Sequence, residues 1–153
     1  EESNRIGVFA HGFTYSGHPV AAAVALKNLE LMEERDVMGH AARISPVFQA
    51  RLKALSDHPL VGEARGVGLV GAVELIADKS ARRNFQPGQG VGAYISARAS
   101  DQGLIVRAMG DSVGLCPPLI ISEAQINEMF DRLTIALDET EAWVHTSGLR
   151  TAN

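Results

Sequence analysis

The sequence predicts an α+β fold in which helices pack on a short, largely antiparallel sheet. Three observations carry that reading. Apolar residues recur at intervals of three and four in the segments 19–35, 36–55 and 122–144. Short period-two or continuously apolar segments, 65–77, 104–109 and 113–121, have the lengths and flanking turn residues of strands. Their order is helix, helix, strand, helix, strand, strand, helix, with Gly110-Asp111 set to turn a tight hairpin between the last two strands.

The first helix follows from Pro19, tolerated at a first helical position, and from the alanine-rich run through Val20, Leu26, Leu29 and Met32 to about Arg35. Asp36 can cap a second helix with Val37, Ala41, Ile44, Phe48, Leu52 and Leu55 on one face. Pro46 lies inside it and removes a backbone donor to Ala42, so a kink or break is expected near Arg43 to Ser45. "SDHP", Ser56 to Pro59, ends the helical pattern.

In "RGVGLVGAVELIA", residues 65–77, Val67, Leu69, Val73 and Leu75 share one face of a single strand bent at its glycines. The polar stretch 78–90 reads as a mobile loop, and a short helix from Val91 to about Gln102 stops at Gly103. Two strands, "LIVRAM" and "VGLCPPLII", follow. Pro117-Pro118 cannot donate to a ladder, so the second is an edge strand or ends there. Ser122 and Gln125 form a capping box ahead of a last helix that buries Ile126, Met129, Phe130, Leu133 and Leu137. The polar tail from His145 is expected to fray.

Composition narrows the function classes. The chain has 153 residues, 46% of them hydrophobic, enough for one packed core. Fourteen Lys and Arg are scattered against 18 Asp and Glu, which disfavours a nucleic-acid reader. Apolar runs stop short of the roughly 20 residues of a membrane span; the longest, Gly66 to Ala77, is interrupted by Glu74. A single cysteine, Cys116, suits a reducing compartment, so a cytoplasmic location is expected. The start "EESNRIG" has neither an initiating Met nor the pattern of a signal peptide, and Ile6, Val8 and Phe9 read as the tail of a strand whose partners are elsewhere; a fragment is expected.

Several motifs have bland readings. Gly88-x-Gly90-x-x-Ala93 formally matches a dinucleotide fingerprint, but no buried strand precedes it, so it reads as loop-to-helix punctuation. His11 and His18 are seven apart with no acidic or cysteine partner between them, and no metal site is expected. Cys116 reads as a small core residue, and Ser16 lacks the flanking glycine of a nucleophile elbow.

Two features have open alternatives. Arg107 interrupts a strand that otherwise reads as buried: it is either an edge arginine with its head in water or a carboxylate receptor whose planar fork takes two oxygens, with Glu74 as its resting partner. "FAHGFTYSGHPVAAAVAL", residues 9–26, sets Thr14, Ser16 and two glycines before a helix start, where unpaired N–H groups and the helix dipole suit a phosphate. The same loop is also adequate as a cap for its own helix.

Together, "HGFTYSGHPVAAAVALKNLELMEE", "HPLVGEARGVGLVGAVELI", "GLIVRAMGD" and "CPPLIIS" resemble the C-terminal part of the class III, or omega, aminotransferases, pyridoxal-phosphate enzymes of fold type I. The resemblance runs from about Gly7 to Val144. It implies a remnant of the large cofactor domain over 1–18 with the phosphate-binding loop, an interdomain helix over 19–35, a small C-terminal domain over 36–145 and a frayed tail over 146–153. It implies that Thr14 binds the phosphate of pyridoxal 5'-phosphate through its hydroxyl across a homodimer interface, that Phe13 adds a backbone N–H, and that Arg107 receives the substrate carboxylate. The activity implied is transfer of an amino group from a primary amine or amino acid to a small keto acid such as pyruvate.

The Schiff-base lysine and the ring-nitrogen aspartate of the family lie upstream of this motif, whereas Lys27, Lys53 and Lys79 all follow it. No catalytic residue is therefore expected in this chain, which alone should be inactive. The alternative is a free-standing, non-catalytic α+β domain that binds a carboxylate metabolite or a protein partner.

Overall fold

The structure, a computed structural model, describes residues 4, 5, 7 and 12–150. The strand tail expected at Ile6, Val8 and Phe9 lies outside the described residues. The chain divides into two compact units, 1–36 and 37–153.

In the first unit, a turn closed by the Ser16 N–H on the Phe13 carbonyl leads into α1, Pro19–Glu34. Pro19 occupies a first-turn position, and His18 is the N-cap, its Nδ1 accepting from Ala21 N–H. None of the 16 residues of α1 is buried.

The second unit runs α2 (Val37–Ala54), a 3-10 turn (Leu55–Asp57), β1 (Val61–Val67), β2 (Val70–Leu75), α3 (Val91–Asp101), β3 (Arg107–Met109), β4 (Ser112–Leu115) and α4 (Glu123–Thr146). The strands form one antiparallel sheet in the order β1-β2-β4-β3. Its inner face carries Val73, Leu75, Val113 and Leu115 into a core shared with Phe48 and Leu52 of α2, Ile95 of α3, and Ile126, Phe130, Leu133 and Leu137 of α4. Phe48 and Phe130 meet edge-on with ring centroids 5.3 Å apart. Each such fully buried side chain contributes about 1.5–3 kcal/mol of transfer free energy. The α+β class expected from the sequence is the one observed.

Four expectations change. The single bent strand over 65–77 is a hairpin: the chain reverses at Gly68-Leu69, where Gly68 takes φ +58. Leu69 is buried inside that turn while Val67 and Val70, paired across it, are exposed, so the period-two pattern read through the turn was accidental. Pro46 does not break α2, which is continuous from Val37 to Ala54. Ala41, Phe48 and Leu52 are buried on both sides of the proline, and the Ser45 hydroxyl donates to the Ala41 carbonyl at 2.6 Å, so tertiary packing outweighs one lost helical bond.

The polar loop 78–90 is organised rather than open. Asp78 accepts from the Ser80 hydroxyl and from the Ser80 and Ala81 N–H groups, Asp78 and Arg83 form a β-bridge, and Phe85 is buried. The hydroxyl of Ser80, followed by the Ala81 N–H, holds the Asp78 carboxyl below its ordinary value. As far as residue 150 the tail does not fray at His145, and residues 151–153 of the expected tail lie outside the described residues. α4 continues to Thr146, Leu149 packs against the core, Arg150 pairs with Glu141, and Arg83 donates to the Arg150 carbonyl.

The capping box of α4 is in place, with the Ser122 N–H on Gln125 Oε1 at 2.9 Å and the Gln125 N–H on Ser122 Oγ at 3.3 Å. β4 ends at Leu115, before the proline pair. Gly110-Asp111 turns the β3–β4 hairpin, and Asp111 Oδ1 accepts from the Gly92 N–H at the start of α3. A Cβ on Gly92 would overlap the Gly110 carbonyl oxygen, so glycine is required for that close approach.

Candidate functional site

Two places hold the residues singled out in the sequence, one in each unit. The first is the loop ahead of α1. Residues 12–18 are exposed, and no described side chain or backbone group pairs with the Thr14 hydroxyl. Thr14 therefore offers a free O–H close before a helix N-terminus, the donor set that suits a phosphate. Phe13 differs from expectation in one respect: its N–H donates to Ser16 Oγ at 2.8 Å. A phosphate taking that donor has to displace the serine hydroxyl. His18, read only as lacking a metal partner, caps α1, and His11 lies outside the described residues.

The second place is the outer face of the sheet. Register sets Arg65 opposite Ala72, Ala72 opposite Gly114, and Gly114 opposite Arg107, so two arginines end one cross-strand row whose middle is nearly flat. Arg65 is committed: its guanidinium reaches Glu63 at 3.2 Å and Glu74 at 3.1 Å, bridging two like charges that face each other across β1 and β2. Glu74 is therefore not the resting partner of Arg107. It lies two rows on and two strands away, and Arg65 is the cation beside it.

Arg107, on the edge strand β3, is exposed, and no described residue hydrogen-bonds or pairs with its side chain. The strand is too short and too near the edge to bury the charge, so the guanidinium is accessible, as both sequence alternatives allow. It borders an open groove of about 1310 Å³ that also takes in Arg65, Ala72, Met109, Gly114 and, from α3, Ser96. Cys116 is exposed on this side too, contrary to the core position expected for it. It continues the alternation in which Val113 and Leu115 point inward and Gly114 outward.

The lysines are occupied elsewhere or exposed. Lys27 pairs with Glu30 and Glu34, Lys79 donates to the Ser56 and His58 carbonyls, and Lys53 is exposed on the last turn of α2. Among the described residues, no three of His, Cys, Asp and Glu come together as metal ligands, and no helix is long and apolar enough to cross a membrane. The Gly88-Gly90-Ala93 segment delivers the chain to the α3 start, with Gly90 as N-cap. Sequence reasoning missed the flat row beneath Arg107, because Ala72 and Gly114 carry no chemistry of their own and only strand register reveals them.

Known proteins match along nearly the whole chain. The profile of the family described as "Aminotransferase class-III" matches residues 2–137. A gamma-aminobutyrate transaminase 3, chloroplastic, of Solanum lycopersicum is 46% identical over 140 residues, 92% of this chain and 27% of that protein. A putrescine–pyruvate aminotransferase of Pseudomonas aeruginosa is 47% identical over 145 residues, 94% of this chain and 32% of that protein. The omega transaminase of Pseudomonas jessenii in complex with PMP superposes with a TM-score of 0.82 at 46% identity, over 94% of this chain and 32% of that one. The chain thus spans about a third or less of the length of these relatives.

Proposed function

The chain belongs to the class-III aminotransferase family, and from that premise we propose that it is the C-terminal portion of an enzyme that moves an amino group from a primary amine or amino acid to a small keto acid such as pyruvate. Enzymes of this family use pyridoxal 5'-phosphate, which, when bound, supplies the electron sink for labilising the bond at the amine carbon. The observation that carries the reading is Arg107, an unpaired guanidinium at the rim of an open groove on an edge strand.

The residues of this chain have distinct tasks in that scheme. Thr14 holds the cofactor phosphate through its hydroxyl, acting across a homodimer interface, with the Phe13 N–H as a second donor once Ser16 releases it. Arg107 takes the carboxylate of the keto acid bidentately, which fixes the orientation of the carbonyl carbon, and stays solvated when the donor is an amine without a carboxylate. The resemblance sets the cofactor lysine upstream of the Thr14 motif, whereas Lys27, Lys53 and Lys79 all follow it, so in this reading the parent contributes that lysine outside this chain and the chain alone is inactive.

In the full-length parent, Arg107→Ala raises KM for pyruvate about tenfold or more, the cost of a charge-assisted hydrogen-bonded contact. KM for a carboxylate-free amine donor stays within about twofold. Steady-state kinetics with the two substrates varied in turn checks this; equal effects on both would remove Arg107 from the role. A second reading, a non-catalytic α+β domain that binds a carboxylate or a protein, draws on the closed core of residues 37–150. As a free-standing domain it would be monodisperse and folded without pyridoxal phosphate, which size-exclusion chromatography of the chain with and without the cofactor checks.

A further inference from the structure

We propose that Gly114 sets the room beside Arg107, and that the acceptor class it admits is monocarboxylic 2-oxo acids whose apolar chain is longer than the methyl group of pyruvate. This rests on the reading of Arg107 as the seat of the acid. Register places Gly114 directly opposite Arg107, and Ala72 next along the same row. Arg107, Gly114 and Ala72 line the same groove and neighbouring strands lie about 4.8 Å apart, so a carboxylate held by the guanidinium within that groove rests beside positions that carry at most a methyl group.

The borders of that floor say what suits it. Met109, two residues along β3, brings its thioether methyl to 3.3 Å from where a Gly114 Cβ would stand, so one side is closed by a flexible apolar chain rather than a rigid wall. Ile105 lies at the edge and is 92% exposed. No residue lining the groove is acidic, and Arg65 at the far end of the row is already neutralised by Glu63 and Glu74. The groove therefore offers one free cation and an apolar floor, which favours a single carboxylate with an apolar chain over a dicarboxylate.

The test uses the cofactor-loaded full-length parent with one amine donor and three acceptors: pyruvate, 2-oxobutanoate and 2-oxopentanoate. Gly114→Val places a β-branched side chain in a strand, where it is well accommodated, and a thermal midpoint confirms folding. The ratio of kcat/KM for 2-oxopentanoate to that for pyruvate falls about tenfold or more, the scale on which a hydrophobic pocket discriminates one or two methylenes. Gly114→Ala, whose methyl has only to push back the tip of Met109, gives a smaller fall of the same sign and decides the matter if the valine variant does not fold. An unchanged ratio in both variants overturns the proposal. Arg107→Ala separates the two levels. If it leaves KM for all three acids unchanged, the acid seat is wrong and both readings fall; if it raises all three while the Gly114 variants leave the ratio unchanged, only this inference falls.

Discussion

Helix α1 is the more apolar of the two by composition, with 10 apolar residues of 16 against 11 of 24 in α4, yet α4 buries seven residues and α1 none. In α1, Val20, Val24, Leu26 and Leu29 are 57–65% exposed, while in α4 the matching stripe of Ile126, Phe130, Leu133 and Leu137 is fully buried in the core it shares with α3, α2 and the sheet. What holds α1 is local: Pro19 at the first turn, the His18 cap, a run of alanines and the pairing of Lys27 with Glu30 and Glu34. What holds α4 is tertiary. An apolar pattern thus specifies a helix, whereas burial depends on whether a partner is at hand.

Substitutions can break that contrast, starting with the largest effect. Phe130→Ala removes a ring that meets Phe48 edge-on in the centre of the core, and chemical denaturation of the chain should show a loss of about 3–5 kcal/mol. A loss below about 1 kcal/mol would mean that α4 is not anchored by its buried face. Ser122→Ala removes one half of the capping box and should cost about 1 kcal/mol in the same measurement. Val24→Ala, on the exposed face of α1, should change the stability of this chain by less than about 0.5 kcal/mol. A larger effect there would show that α1 buries Val24 in solution.

The smallest effect is pH-dependent and lies in the 78–90 loop. Asp78 has a folded pKa below its ordinary value of 3.8, so its contribution is present above that value and is lost as pH falls through the lowered folded one. The difference in thermal midpoint between wild type and Asp78→Asn should therefore be constant near neutrality and shrink below pH 3.8. A difference that does not change with pH would leave the carboxylate without that role.

Legibility in the sequence followed the range of the interaction. The Ser122–Gln125 box, Pro19 and the Gly110-Asp111 turn are local devices, and each was readable from residue types three or four apart. The hairpin at Gly68-Leu69 was not, because an apolar residue in its turn continued the strand pattern, and its burial depends on chain that approaches from elsewhere. Pro46 misled in the opposite sense: the local rule is sound, but packing on either side overrode it. Thr14, Phe13 and Arg107 were singled out by motif, and physics alone left the choice between cap and ligand site open. The commitment of Glu74 to Arg65 and the flat row under Arg107 depend on strand order and register, which no single segment encodes.

The account rests most heavily on the loop before α1 being one half of a cofactor site, and Thr14→Ala in the full-length parent tests that most directly. The measurement is retention of pyridoxal phosphate, followed by its absorbance after desalting and by the dissociation constant on adding it back. Loss of the hydroxyl should weaken binding about tenfold or more, as expected for a hydrogen bond to a charged phosphate. Retention equal to that of the unsubstituted enzyme would contradict the assignment and leave the loop as a cap for its own helix.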